Sequence, residues 1–494
     1  MEIRMKKVIA VLFLTMLYLP LIFINLIPNK VSELEKRHLA PLPDFFTNEG
    51  KISPGIRNAF ENWLNDNIGF RDMFVTVYSN IQYKILGRSP NSTVQLGKEG
   101  WMYYTKDRNL HIASGEYVLT QKELDLILRQ QQRINDRLKE QGIEYVLVLP
   151  TSKVSIYPEF IRSGNYQVRE TPVDQLAQYI QTHSDIKVIP LKQALLRAKN
   201  AGQVFFKTDT HWTEFGAYMG YREIIKKLNE FGLVSDEPEE VAFEPSEYLG
   251  EMGCLMGNSK LVPPEKTTRS VILKKDAHRV EEGELYQSYQ NILNQYQIKN
   301  SCYLYENDNK DNTLLMFGDS MFGAWNATEL LAEHFNHMVY VWGGDIQQEY
   351  IDLFKPKIVI FELTERFLDQ IMNRNKSFSD RLIDFQAEII SHDTPTTIDR
   401  KSKYSINITV KNTSIDYWSE EKQVRLCIWQ DGKDHGYRLY LPDGVEVAPG
   451  EQYTFRLDNF VAPYGKSTYL EFVMCQEGIT YFGERERVDI IVID

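Results

Sequence analysis

An alternation of apolar strands with amphipathic helices between Thr120 and Leu363 constrains this chain more than any other feature of its sequence. The runs IEYVLVLP (143–150), IKVIP (186–190), VFFK (204–207), TLLMFGDS (313–320), MVYVWGG (338–344) and KIVIFEL (357–363) read as buried strands. Between them lie helical stretches. The first opens on the capping box Thr120-Gln-Lys-Glu123 and ends near Gly142; others cover 172–182, 191–200, 324–335 and 347–354. Such an order predicts an α/β domain with a parallel sheet covered on both faces. From 235 to 312 the alternation lapses into a segment rich in Glu, Tyr, Gln and Asn, read as an insertion over the sheet edge and a candidate cleft wall.

The first residues bear on the compartment. Arg4, Lys6 and Lys7 precede an uncharged run from Val8 to Ile27, about the 20 residues that span a hydrocarbon core, and no A-x-A-like cleavage site follows it. The reading is an uncleaved signal anchor over 1–30, a single transmembrane helix with its N-terminus in the cytoplasm and everything after it extracytoplasmic. Residues 31–90 form a helical region leading into the α/β domain (91–390), with apolar residues from Phe60 to Ile81 at helical intervals and a break at Gly69. VQLGKEGWMYY after it reads as strand and turn. From 396 to 494 the pattern changes to short alternating strands with turns such as Asp443-Gly444, which predicts an all-β immunoglobulin-like sandwich. Cys427 and Cys475 fall on predicted strands there, paired or free. Four cysteines without CxxC spacing give no zinc site, and a net charge of −12 without a basic run argues against a nucleic-acid partner.

Two short motifs carry chemistry. Gly318-Asp319-Ser320 stands where an apolar strand gives way to a helix, so Ser320 is placed as a nucleophile near that helix's N–H groups; the alternative is a helix-capping Asp or Ser. The sequence lacks the glycine two residues after the serine that marks the hydrolase nucleophile elbow. A serine nucleophile needs a base, and the base an orienting carboxylate. Asp209-Thr-His211 supplies both at a predicted strand end, where positions i and i+2 of extended backbone share a side. The alternative is an exposed His in a turn beside a core Trp212.

Together, D-T-H-W-T-E-F-G-A-Y and L-L-M-F-G-D-S-M-F-G-A-W, with E-K-R-H-L-A-P-L-P, G-K-E-G-W-M-Y-Y, V-L-P-T-S-K-V-S-I-Y-P-E and I-V-I-F-E-L-T-E-R-F-L, resemble the AlgX/AlgJ and DHHW families of SGNH-hydrolase-like polysaccharide O-acetyltransferases across scattered blocks of 31–370. The resemblance implies a three-layer SGNH-like fold in which Ser320 takes the acetyl group, His211 is its base and Asp209 orients the base, while Gly318 and Asp319 shape the oxyanion turn. It also implies substrate-binding roles. Lys153 and Tyr157, in the S-K-x-x-x-Y block, line an acceptor groove or are a surface charge and a packing ring. Trp212 packs beside the triad or stacks on sugar, and Arg366 contacts substrate or makes a structural ion pair. No block with the Asn of ordinary SGNH enzymes can be placed, so the second oxyanion donor stays open.

The expected function is membrane-anchored O-acetylation of an exopolysaccharide or cell-wall polysaccharide through an acyl-serine, with no metal or cofactor. A multi-spanning membrane-bound O-acyltransferase is the donor partner that the resemblance implies. An SGNH-type esterase with the same residues is the first alternative. A non-catalytic surface protein that binds glycan through the sandwich, with Trp418, Trp429, Tyr437 and Tyr440 as its platform, is the second.

Overall fold

The computed structural model describes residues 2–493 apart from 28–29, 48–49, 163, 165, 376–377, 380–384, 401, 415, 462–466 and 478–479. The chain divides into two compact units, Met1–Asn375 and Lys376–Asp494, a division earlier than the composition shift suggests.

In the first unit the helix Gln121–Glu140 starts where its capping box lies. Thr120 Oγ1 accepts the Glu123 N–H, and the Glu123 carboxylate accepts the Thr120 N–H. Its buried Leu124, Ile127, Ile134 and Leu138 recur at helical spacing and cover one sheet face. A second capping box, Thr171 with Asp174, opens Pro172–His183. The central sheet holds β1 (Glu144–Leu149), β2 (Lys187–Pro190), β3 (His278–Arg279), β4 (Tyr303–Glu306), β5 (Thr313–Gly318), β6 (His337–Trp342) and β7 (Ile358–Glu362), in the order β2-β1-β7-β5-β6-β4-β3. The five strands β2, β1, β7, β5 and β6 are parallel. β4 runs antiparallel to β6, and β3 antiparallel to β4.

The sheet is therefore mixed, which corrects the all-parallel expectation. Both antiparallel strands come from the segment read as an insertion. They are short and half-exposed, so they lack the long apolar runs that announce the parallel strands.

Two further expectations are corrected. VFFK is not a sheet strand: only an isolated bridge, Phe205 to Trp212, forms there, and it closes a loop. Several polar backbone groups of that loop are satisfied by side chains, beside the bond from the Met102 N–H to the Lys207 carbonyl at 2.9 Å. Glu265 accepts from the N–H groups of Lys207 and Thr208, at 3.0 Å each, while carbonyls turn inward to Lys153. The helix after Ser320 spans only Ala327–Ala332, following Trp325 and Asn326 in left-handed conformation (φ 69° and 58°). Ser320 thus lies on a turn, and no helix begins at it.

Before the sheet come the helices Ile56–Asn67 and Arg71–Asn80 and the hairpin Val94–Leu96 with Met102–Tyr104. The helix Glu2–Ile22 includes Met5–Ile22, mean hydropathy 1.9, long and apolar enough to cross a membrane by length and composition; a signal sequence passes the same test. Its end meets the break between the two later helices, where Gly69 N–H donates to the Pro20 carbonyl at 2.9 Å. Pro28 and Asn29, where the sequence ends the apolar run, lie outside the described residues.

The second unit is β-rich. One sheet pairs Ala387–His392, Lys403–Asn412 and Gln452–Val461; the other pairs Thr397–Asp399, Thr480–Ile493, Ser467–Gln476, Val424–Gln430 and Lys433–Tyr440. Side chains of both sheets share one core, including Ile406, Ile408 and Phe455 with Leu426, Phe472 and Ile490. Trp418 is fully buried in that core, its indole N–H bonded to Ser414 Oγ at 3.0 Å, which removes it from any sugar platform; Tyr437 and Tyr440 are exposed. Cys427 and Cys475 are free and buried, diagonal neighbours on adjacent antiparallel strands.

Candidate active site

Ser320 follows β5 at the carboxyl end of the sheet, and the 205–212 loop brings Asp209 and His211 to the same place. His211 Nε2 lies 2.8 Å from Ser320 Oγ, and His211 Nδ1 lies 2.6 Å from Asp209 Oδ1. Asp209 Oδ1 also accepts the His211 backbone N–H at 3.0 Å. That bond two residues along the chain is an Asx-type turn, so a bend and not extended backbone aligns the pair. Asp209 Oδ2 accepts from the Tyr248 hydroxyl and from the Glu251 N–H, each at 2.9 Å. Asp209 is 1% exposed. Burial alone would raise its pKa, but the hydrogen bond and charge of His211 and the two backbone N–H donors outweigh it and hold the carboxyl below the usual range.

The turn that presents Ser320 is locked from below. Asp319 N–H donates to Glu362 Oε2 at 2.8 Å, and the Asp319 carboxylate accepts from the N–H groups of Met321 and Thr364 and from Thr364 Oγ1, each at 2.9 Å. A Cβ on Gly318 would stand 2.5 Å from Glu362 Oε2, so the backbone approaches too closely for any larger residue. Glu362 is fully buried at the end of β7; burial, reinforced by Asp319, pushes its pKa well above the carboxylate range. Arg366, past β7, donates from Nη2 to Ser320 Oγ at 3.3 Å.

The other residues singled out from the sequence take different places. Lys153 is 4% exposed, and its Nζ donates to the carbonyls of Phe206 (3.1 Å), Lys207 (3.1 Å) and Asp209 (2.5 Å). It is neither a groove residue nor a surface charge: it is a buried cation behind the Asp209 loop. Burial pushes its pKa down to about 8. Tyr157 is packing, its ring 4.2 Å from that of Trp101 and its hydroxyl accepting from the Val204 N–H at 3.1 Å. Trp212 is wholly buried against Phe322, so it cannot stack on substrate.

A cleft of about 480 Å³ opens over Ser320 and His211, with Trp325, Trp342, Tyr104 and Phe367 among its walls. Tyr248, Glu251, Trp325 and Glu362 are the site residues that sequence reasoning missed. Glu362 carried a readable signal, a carboxyl ending an otherwise apolar strand; Tyr248 and Glu251 lie in the irregular segment, where no period marks them. Asp209, His211 and Glu251 bring ligand-type atoms within 4.8 Å of one another. His211 Nδ1 is committed to Asp209, however, and Glu251 Oε1 takes the hydroxyl and N–H of Thr210. Tyr248→Phe is expected to lower turnover about tenfold by removing one bond to the Asp209 carboxylate. It should also move the acid limb of the pH–rate profile upward, since the lost bond favours the charged form; an unmoved limb would contradict this.

Residues 94–341 match the family described as SGNH hydrolase-like domain, acetyltransferase AlgX. A probable alginate O-acetylase AlgJ of Pseudomonas syringae pv. tomato is 27% identical over 197 residues, 39% of this chain and 49% of that protein. The chain thus spans about half the length of the curated relative it matches. Among solved structures, the O-acetyltransferase domain of Pseudomonas putida AlgJ aligns with 57% of this chain and 98% of its own at 16% identity and a TM-score of 0.38. AlgX of Pseudomonas aeruginosa aligns with 78% and 95% at 15% identity and a TM-score of 0.39.

Proposed function

The chain belongs to the family of SGNH hydrolase-like acetyltransferases described for AlgX, and from that premise we propose that it is a polysaccharide O-acetyltransferase working through an acetyl-serine on Ser320. The observation that carries the reading is the unbroken relay from Asp209 through His211 to Ser320, with bonds of 2.6 Å and 2.8 Å beneath an open cleft. His211 Nε2 takes the Ser320 hydroxyl proton as Oγ attacks the acetyl carbonyl carbon, and returns that proton to the leaving group as the tetrahedral intermediate collapses. A sugar hydroxyl then gives its proton to Nε2, attacks the acetyl carbon and leaves with the acetyl group, restoring Ser320. Asp209 keeps the imidazole in the tautomer with Nδ1–H and stabilises it when charged. Arg366, 3.3 Å from Oγ, is the cation nearest the developing oxyanion and fills the role of the missing second donor. Gly318 and Asp319 set the turn, and Lys153 positions the Asp209 loop.

The apolar helix Glu2–Ile22 is read as a signal anchor, with both units extracytoplasmic, and the C-terminal β unit as an immunoglobulin-like sandwich. Acetyl-CoA is confined to the cytoplasm, so the acetyl group reaches the site through a multi-spanning membrane-bound O-acyltransferase. The relatives are named for alginate, and a polysaccharide is the acceptor assigned to this chain as well.

The test is a pulse and chase. Full-length protein in detergent is exposed briefly to p-nitrophenyl acetate, digested and analysed by mass spectrometry; the peptide holding Ser320 should gain one acetyl group, and added oligosaccharide should carry it away. Acetyl on another residue would sink the assignment of Ser320. Release of free acetate at a rate that no oligosaccharide changes would make the protein an esterase.

A further inference from the structure

Three carboxylates face the cleft (Asp107, Asp209 and Glu251) against the single guanidinium of Arg366. Asp209 is committed to His211, which leaves Asp107 and Glu251 as the charges that an incoming chain meets. Among the described residues Asp107 has no ion-pair partner within 4 Å, and Arg366, the one permanent cation among the described residues that line the cleft, donates to Ser320 Oγ. Trp325 and Trp342 supply wide apolar faces on the same walls, Trp325 with its ring 6.0 Å from that of His211. Trp325 is held there by a left-handed backbone, φ 69°, that a bulky residue seldom adopts.

From this arrangement we infer that the acceptor is an uncharged glycan, whose pyranose rings stack on Trp325 and Trp342 and which carries no carboxylate near the acetylated hydroxyl. The inference rests on the transferase reading and deepens it. A polyuronate sets one carboxylate on every sugar, and residues flanking the reacting one would come against Asp107 and Glu251. Like charges in a partly desolvated cleft repel far more than in open water. Arg366 gives no relief, because a cation paired with a substrate carboxylate is withdrawn from the oxyanion that forms at Ser320. A neutral chain meets no such conflict, since the C–H face of a pyranose packs on indole and its hydroxyls can donate to Asp107 and to the Glu251 oxygen that is not bonded to Thr210. The burial of Asp107, which raises its pKa, agrees with a wall built for hydrogen bonding more than for ion pairing.

The test compares acetyl transfer from p-nitrophenyl acetate, catalysed by full-length protein, to hexasaccharides: a panel of neutral glucans, mannans and xylans, an oligouronate, and an oligoglucosamine. The expected kcat/KM for the best neutral hexamer exceeds that for the oligouronate by about tenfold or more in 20 mM NaCl, and the ratio shrinks in 500 mM NaCl as screening removes the repulsion. Asp107→Asn should narrow the ratio at low salt. An oligouronate that equals or betters the neutral hexamers overturns the inference, as does a ratio that Asp107→Asn leaves in place. The oligoglucosamine as best acceptor would replace the neutral chain with a cationic one. Nitrophenol release with no acetylated sugar from any hexamer would instead bring down the transferase reading on which the inference stands.

Discussion

Asp209→Asn should lower acetyl transfer by about 10⁴-fold while leaving the fold in place, as loss of the orienting carboxylate does in serine triads generally. The size of the effect follows from what surrounds that carboxyl. All four groups directed at it are donors: the His211 backbone N–H and Nδ1 at one oxygen, the Tyr248 hydroxyl and the Glu251 N–H at the other. An amide has one acceptor end and one donor end. With its oxygen toward His211, its NH₂ opposes the Glu251 N–H; turned round, it opposes the His211 N–H and favours the tautomer whose Nε2 carries a proton and cannot take one from Ser320. Neither orientation restores the relay, and both lose the negative charge that stabilises the imidazolium. Steady-state transfer with a thermal melt in parallel checks this. A fall of less than about tenfold in folded protein would mean that Asp209 does not orient the base.

Ser320, His211 and Asp209 stood out in the sequence because nucleophile, base and carboxylate each fell at the end of an apolar run; the sheet carries Ser320 to its carboxyl end, and the 205–212 loop brings Asp209 and His211 to the same place. The local geometry did not follow from the same reasoning. Extended backbone was expected around Asp209, yet the 205–212 loop is a bend whose carbonyls and N–H groups are bound by Lys153 and Glu265, residues about 50 positions away on either side. Local pattern carries no trace of such a distant partner. Trp212 and Tyr157 failed as substrate residues for a related reason: an aromatic next to a motif has the same letter whether it faces the cleft or the core. Tyr248 and Glu251 were hidden because the irregular segment that holds them has no period to read, although it also supplies β3 and β4 and the Glu265 that braces the loop.

Lys153→Met is expected to lower both activity and stability, with a pH signature that no surface lysine would give. The ammonium of Lys153 is the donor for three carbonyls, those of Phe206, Lys207 and Asp209, and the last belongs to the orienting residue itself. Met fills the volume but donates nothing. Leaving buried acceptors unmet costs about 1–3 kcal/mol each, partly offset by relief of the burial penalty on the charge, so a net loss of about 2–4 kcal/mol is expected at pH 7. A loop displaced by even a fraction of an ångström would misplace Asp209 and His211, and turnover should fall about 10²-fold. The pH dependence has a definite sign. Burial lowers the folded pKa from 10.5 to about 8, against the weaker pull of Asp209, Glu265 and Glu251. Between those values the unfolded chain holds the proton that the folded chain has released, so the wild type gains stability from this group as pH rises from about 8 to 10.5. The gain approaches about 3 kcal/mol, and it is absent below pH 8. Urea unfolding at pH 7 and pH 10 should therefore show the gap between wild type and Lys153→Met widening with pH. A gap that stays constant or narrows would mean that folding does not depress the amine's pKa, so that Lys153 keeps its proton in the folded chain through pH 10.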